Sequence, residues 1–84
     1  MSYAVFILRR AQKELAGLPP HAYEQAERAV ARLGEEPRPS GARKLTGREG
    51  WRIRAGDYRV VYEISDEDRT VTVVHIGHRR DVNR

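Results

Sequence analysis

Trp51-Arg52-Ile53-Arg54-Ala55-Gly56-Asp57-Tyr58-Arg59-Val60-Val61-Tyr62-Glu63-Ile64 is the stretch that decides the fold. Apolar and charged side chains alternate from Trp51 to Ala55 and again from Tyr58 to Ile64, the period-two signature of half-buried strands. Gly56-Asp57 between them reads as a two-residue hairpin turn. That turn sets the register: Ala55 faces Tyr58, Arg54 faces Arg59, and Arg52 faces Val61. Arg52, Arg54 and Arg59 then share one face, while Trp51, Ile53, Ala55, Tyr58, Val60 and Tyr62 form the face that helices would cover. Like charges directly across a strand pair cost up to about 1 kcal/mol, so Arg54 against Arg59 breaks a local rule with no folding benefit. Two explanations compete. The arginines form an anion site, or they are a solvated face paired with Glu63, Asp57 or the acidic turn at 66–68.

Working outward, Ser65 to Arg69 turns the chain again, and Thr70 to Ile76 is a last strand, followed by the basic tail Gly77-His78-Arg79-Arg80-Asp81-Val82-Asn83-Arg84. In the other direction, residues 35–50 hold two prolines and three glycines and read as an irregular connection, anchored by Leu45. Before it lie two helices. Ala11, Leu15 and Leu18 make the apolar stripe of a short one that stops at Gly17 and Pro19-Pro20. Ala22, Ala26, Ala29, Val30 and Leu33 make the stripe of a second, started by Pro20 and closed by Gly34. Tyr3 to Leu8 lacks polar alternation and is expected to be a strand covered on both sides or paired centrally. The order β-α-α-β-β-β predicts an α+β fold: an N-terminal strand, a helical hairpin, and an antiparallel three-strand meander in one sheet with the helices on one face.

Composition narrows the function classes. Eighty-four residues make one small domain, residues 1–84, whose site must be an open surface or shallow groove. Cysteine is absent, which removes disulfides, thiolate nucleophiles and cysteine metal sites and points to a reducing, cytoplasmic setting. No run of apolar residues is long enough for a membrane span, and the N-terminal apolar run precedes its charges, as a strand does and a signal peptide does not. Lys and Arg number 16 against 12 Asp and Glu, a net charge of +4. Between Arg38 and Arg59 stand seven cations and two anions, and 14 of the 16 cations are arginine, whose planar fork fits phosphate. A polyanionic partner is expected. His78 reads either as a proton donor near neutral pH or as an exposed tail histidine. His75 reads as structural, His21 as a surface residue, and Trp51 as core. The three histidines, with no acidic partner at ligand spacing, give no metal signal, and no cofactor is expected.

These segments resemble the RelE/ParE superfamily of toxins from type II toxin–antitoxin systems, in its RelE-like branch. The resemblance spans nearly the whole chain and rests on Tyr3-Ala-Val-Phe-Ile7, Lys44-Leu45, the hairpin from Trp51 to Ile64, and Ile76-Gly-His-Arg-Arg-Asp-Val82. It implies a small basic endoribonuclease that cuts mRNA in the ribosomal decoding site without a metal, contacts ribosomal RNA, and is wrapped and neutralised by a cognate antitoxin protein. By position, Arg52 and Arg54 match the family's basic pair, Arg59 its next-strand arginine, and Arg79 its tail arginine. The resemblance so places catalysis on Arg54, Arg59, Arg79 and position 83 (Asn83) and RNA binding on Arg52; His78 joins the catalytic candidates as an acid, and Arg43, Lys44, Arg48 and Arg80 are expected to hold RNA with Arg52. Arginine stays charged, so these residues suit phosphate clamping better than proton transfer. One departure stands out: the family tail commonly carries tyrosine where this chain has Asn83, which cannot act as a phenol base. A ParE-like toxin that inhibits gyrase by binding, and a catalytically attenuated binding module, are the rival readings.

Overall fold

The computed structural model describes residues 2–78. Strand β1 (Ala4–Ile7) is followed by helices α1 (Arg9–Ala16) and α2 (Pro20–Glu35), then strands β2 (Arg43–Lys44), β3 (Trp51–Ala55), β4 (Tyr58–Ser65) and β5 (Thr70–His78). They form one five-stranded sheet in the order β1-β5-β4-β3-β2, antiparallel except that β1 runs parallel to β5. The α+β fold read from the sequence is therefore present, with one addition. The connection after α2 contains β2, a two-residue edge strand in which Arg43 pairs with Arg52 and Lys44 with Trp51.

The core follows from the two apolar stripes meeting one side of the sheet. Ala11 and Leu15 of α1 and Ala26, Val30 and Leu33 of α2 pack with Ile53, Ala55, Val60, Tyr62, Val71, Val73 and Ile76. Val73 and Ile76 are three apart, so a regular strand would send them to opposite sides. A bulge in β5 resolves this: Val61 pairs with His75 but Tyr62 pairs with Val73, which leaves Val74 as the extra residue. Both Val73 and Ile76 are thereby buried against the helices.

Two local expectations are corrected. β1 is neither central nor covered on both sides: it is an edge strand, and Phe6 is 56% exposed. Its unbroken apolar run buries only Val5 and Ile7 against the core. Gly34 does not terminate α2, which runs one residue further to Glu35. It is there for close approach. The Tyr3 amide donates to the Gly34 carbonyl at 2.6 Å, and a Cβ on Gly34 would meet Val5 Cγ2 at 3.1 Å and the Tyr3 carbonyl oxygen at 3.2 Å. Tyr62 is the largest fully buried side chain; its hydroxyl donates to the Pro37 carbonyl at 2.7 Å, and burial pushes its phenol up to about 12.

Pairing with β1 ends at Val73, and α1 covers the section of β5 beyond it. Glu14 of α1 accepts the Ile76 amide at 2.9 Å through Oε1, and its Oε2 lies 2.8 Å from His75 Nδ1, off the line a hydrogen bond requires. His75 Nδ1 is thus buried beside Glu14 without a hydrogen-bond partner, which departs from the satisfied structural histidine expected from the sequence. Glu14→Ala would leave a part-buried amide without its acceptor, at a cost of about 1–3 kcal/mol. Urea unfolding should show a lower midpoint for Glu14→Ala and a midpoint near wild type for Glu14→Gln, which keeps an acceptor.

Candidate functional site

The hairpin turn places the site. Gly56 adopts φ +63°, Asp57 does not leave the negative-φ region, and a glycine at the first turn position with that geometry fits a type II′ hairpin. The strands pair as Ala55 to Tyr58, Arg54 to Arg59 and Arg52 to Val61. Directly opposed residues share a side, so Arg52, Arg54 and Arg59 emerge together on the face away from the helices. Arg43 joins them because β2 sets it opposite Arg52. The four arginines, with Gly41 and Ile53, line a half-open cavity of about 330 Å³. Val61, on the same side, is buried outside the helix-facing core.

Four guanidiniums around one concavity have the charge and geometry to hold an anion. Each arginine keeps its charge at any working pH and presents a fork that fits a phosphate edge. Arg54 is oriented by its own turn, since its Nε donates to the Gly56 carbonyl at 3.0 Å. Among the solvated partners considered from the sequence, Asp66 is already engaged elsewhere, as described below.

The remaining expected site residues distribute unevenly. Lys44 pairs with Trp51 and alternates to the other side of the sheet, and Arg48 lies in the exposed loop after β2; neither lines the cavity. His78 ends β5 opposite Tyr58, with the two rings edge-to-face at 5.5 Å, while Arg59 faces Gly77. The register so puts His78 on the helix side, away from the arginine face. Arg79, Arg80 and Asn83 lie outside the described residues. Trp51 packs on the core as expected, His21 is exposed, and among the described residues no three His, Asp or Glu side chains gather as metal ligands. Among the described residues no helix is long and apolar enough to cross a membrane.

One cluster escaped the sequence. Asp66, read as solvated charge in the 66–68 turn, accepts the Tyr3 hydroxyl at 2.7 Å and both terminal nitrogens of Arg38 at 3.2 and 2.9 Å. Arg38 also lies over the Trp51 ring, 5.4 Å from its centroid. The Arg38 and then the Tyr3 hydrogen bonds hold the Asp66 carboxyl below its usual range, and the Asp66 hydrogen bond raises the Tyr3 phenol. The signs follow. A depressed acid contributes above its unfolded pKa and is lost as pH falls through its folded one; a raised phenol contributes below its unfolded pKa and is lost as pH rises through its folded one. The cluster should therefore persist across the neutral range. Carbonyl-detected NMR should titrate Asp66 below an ordinary aspartate, and Arg38→Ala should move that midpoint up.

This fold and arginine face belong to a known class: the chain belongs to the ParE toxin family of type II toxin–antitoxin systems, whose model matches residues 5–83. It is a toxin of the RelE/ParE superfamily. It is 35% identical over 88 residues to Toxin RelG of Mycobacterium tuberculosis, covering 100% of this chain and 99% of that one. The RelBE2 toxin–antitoxin complex from Mycobacterium tuberculosis contains a chain with TM-score 0.83 and 28% identity, covering 94% of this chain and 100% of that one. A mutant of E. coli toxin RelE in the free state matches with TM-score 0.80 and 30% identity, over 99% of this chain and 90% of the other.

Proposed function

We propose that this toxin is a ribosome-dependent mRNA endoribonuclease that inhibits translation. The observation that carries the reading is the cavity in which Arg43, Arg52, Arg54 and Arg59 converge on the helix-free face. Metal-free RNA cleavage needs a base for the 2′-hydroxyl, cations for the pentacoordinate phosphate, and an acid for the leaving 5′-oxygen. Arg54 and Arg59 would stabilise the reacting phosphate, with Arg79 from the tail, while Arg43 and Arg52 hold the strand on either side. Arg48, Lys44 and Arg80 would contact RNA beyond the cavity. The position of His78 on the helix side weighs against it as the acid, and this reading assigns proton transfer to the tail or to ribosomal RNA. The relatives named RelE and RelG support the RelE-like branch; the family description, ParE, keeps gyrase inhibition as the rival.

An acidic, partly helical antitoxin, disordered alone, is the partner this reading requires, and structures such as the RelBE2 complex support one. Toeprinting of translating ribosomes tests the activity. Cuts inside decoding-site codons are the expected result. Inhibition of gyrase supercoiling with no cuts would select the rival. Co-expression with the neighbouring gene product should give a salt-sensitive complex.

A further inference from the structure

The cavity depends on a strand that is barely held. Arg43 reaches the site from β2, which is two residues long, lies at the edge of the sheet, and pairs only with Arg52 and Trp51 on β3. Edge strands this short have little stability of their own. What delivers β2 is the segment after α2, fastened at two successive residues. Buried Pro37 accepts the Tyr62 hydroxyl at 2.7 Å, and Arg38 grips Asp66 with both terminal nitrogens while covering the Trp51 ring. Past that point the chain bends at Gly41, φ +94°, with the Ala42 amide donating to the Pro39 carbonyl at 2.9 Å, and Arg43 follows.

We infer that Asp66, at the turn between β4 and β5 and outside the cavity, is a positioning residue that acts through Arg38 to seat β2 and so to place Arg43 in the anion site. Three donors converge on its carboxylate, one from Tyr3 just before β1 and two from Arg38 in the segment before β2, so one side chain ties both segments to the β4–β5 turn. A bidentate guanidinium–carboxylate contact fixes direction as well as distance. Stacking on Trp51, the partner of Lys44, sets the same segment against β3. The inference deepens the RNA-cleavage reading and rests on it only for what Arg43 binds.

Two measurements on the full chain separate the parts. In Asp66→Ala, amide hydrogen exchange should quicken at Ala42 and at Leu45, whose amide donates to the Gly50 carbonyl, while Leu33 and Val60 exchange as in wild type. Asp66→Glu should restore slow exchange, and Arg38→Lys, which keeps the charge but loses the fork and the planar stack, should loosen the same amides. The second measurement is the salt dependence of binding to a short single-stranded RNA. Loss of one phosphate contact lowers the slope of log K against log salt by about 0.7 for single strands. Asp66→Ala should lower it by that amount, Arg43→Ala equally, and the double variant no further. Removing a negative charge would by itself strengthen RNA binding, so weakening cannot come from net charge. Unchanged exchange at 42–45, or faster exchange with an unchanged slope, overturns the inference. A wild-type chain with no salt-dependent RNA binding sinks the RNA reading instead, and the exchange rates alone then decide whether Asp66 seats β2.

Discussion

Arg59→Ala and Arg54→Ala are each expected to slow single-turnover cleavage of ribosome-bound mRNA by about 10²–10³, the cost of removing one preorganised donor from a developing phosphate charge. Stability should move the other way or not at all. The two residues face each other across β3 and β4, and opposed like charges cost up to about 1 kcal/mol, so deleting one relieves repulsion. A lost activity with an unchanged or higher Tm separates a phosphate site from a structural role, because a side chain retained for folding would lose both together. Arg54→Lys should recover part of the rate: the charge remains, while the fork and the Nε bond to the Gly56 carbonyl are gone. Should either alanine variant cut within a few-fold of wild type, the reacting phosphate does not sit between these two guanidiniums.

The same arginine pair shows why part of the site was legible in the sequence. A two-residue turn is local information, and once Gly56-Asp57 is read as one, every pairing from Ala55–Tyr58 to Arg52–Val61 follows without further knowledge. Helix stripes are local in the same sense, and Ala11, Leu15, Ala26, Val30 and Leu33 all reach the core. What failed to show was set by contacts distant in the chain. Glu14 and Ile76 are 62 positions apart, Tyr3 and Asp66 are 63 apart, and Arg38 and Asp66 are 28 apart, so neither carboxylate's role leaves a periodic trace. The bulge at Val74 is a related case: an extra residue in Thr70–His78 shifts the side-chain phase, and only pairing with β4 reveals where. That shift also decides which residues share a side with Arg59, and so removes His78 from the arginine face. β1 misled for a different reason. An apolar run of four residues reads alike for a buried strand and for an edge strand whose outer side chains, Ala4 and Phe6, remain exposed.

With His78 turned to the helix side, the four arginines that line the cavity supply charge and orientation but are unsuited to exchange a proton. Asn83 is then the position where the chemistry is most incomplete, since the family's tail commonly carries a tyrosine there. A phenol that orients or deprotonates the 2′-hydroxyl contributes as a single general base does, about 10²–10⁴ in rate. On the proposed reading, phosphate binding falls by contrast to the arginines, so affinity and turnover should separate. Asn83→Tyr is expected to raise single-turnover cleavage on the ribosome by a factor in that range with little change in ribosome affinity. Arg59→Ala in the same background should remove most of the gain, because a better base accelerates nothing unless the charge it creates is stabilised. Efficient cutting by the natural chain, unchanged by Asn83→Tyr, would mean that a tyrosine is dispensable here and that ribosomal RNA itself moves the proton.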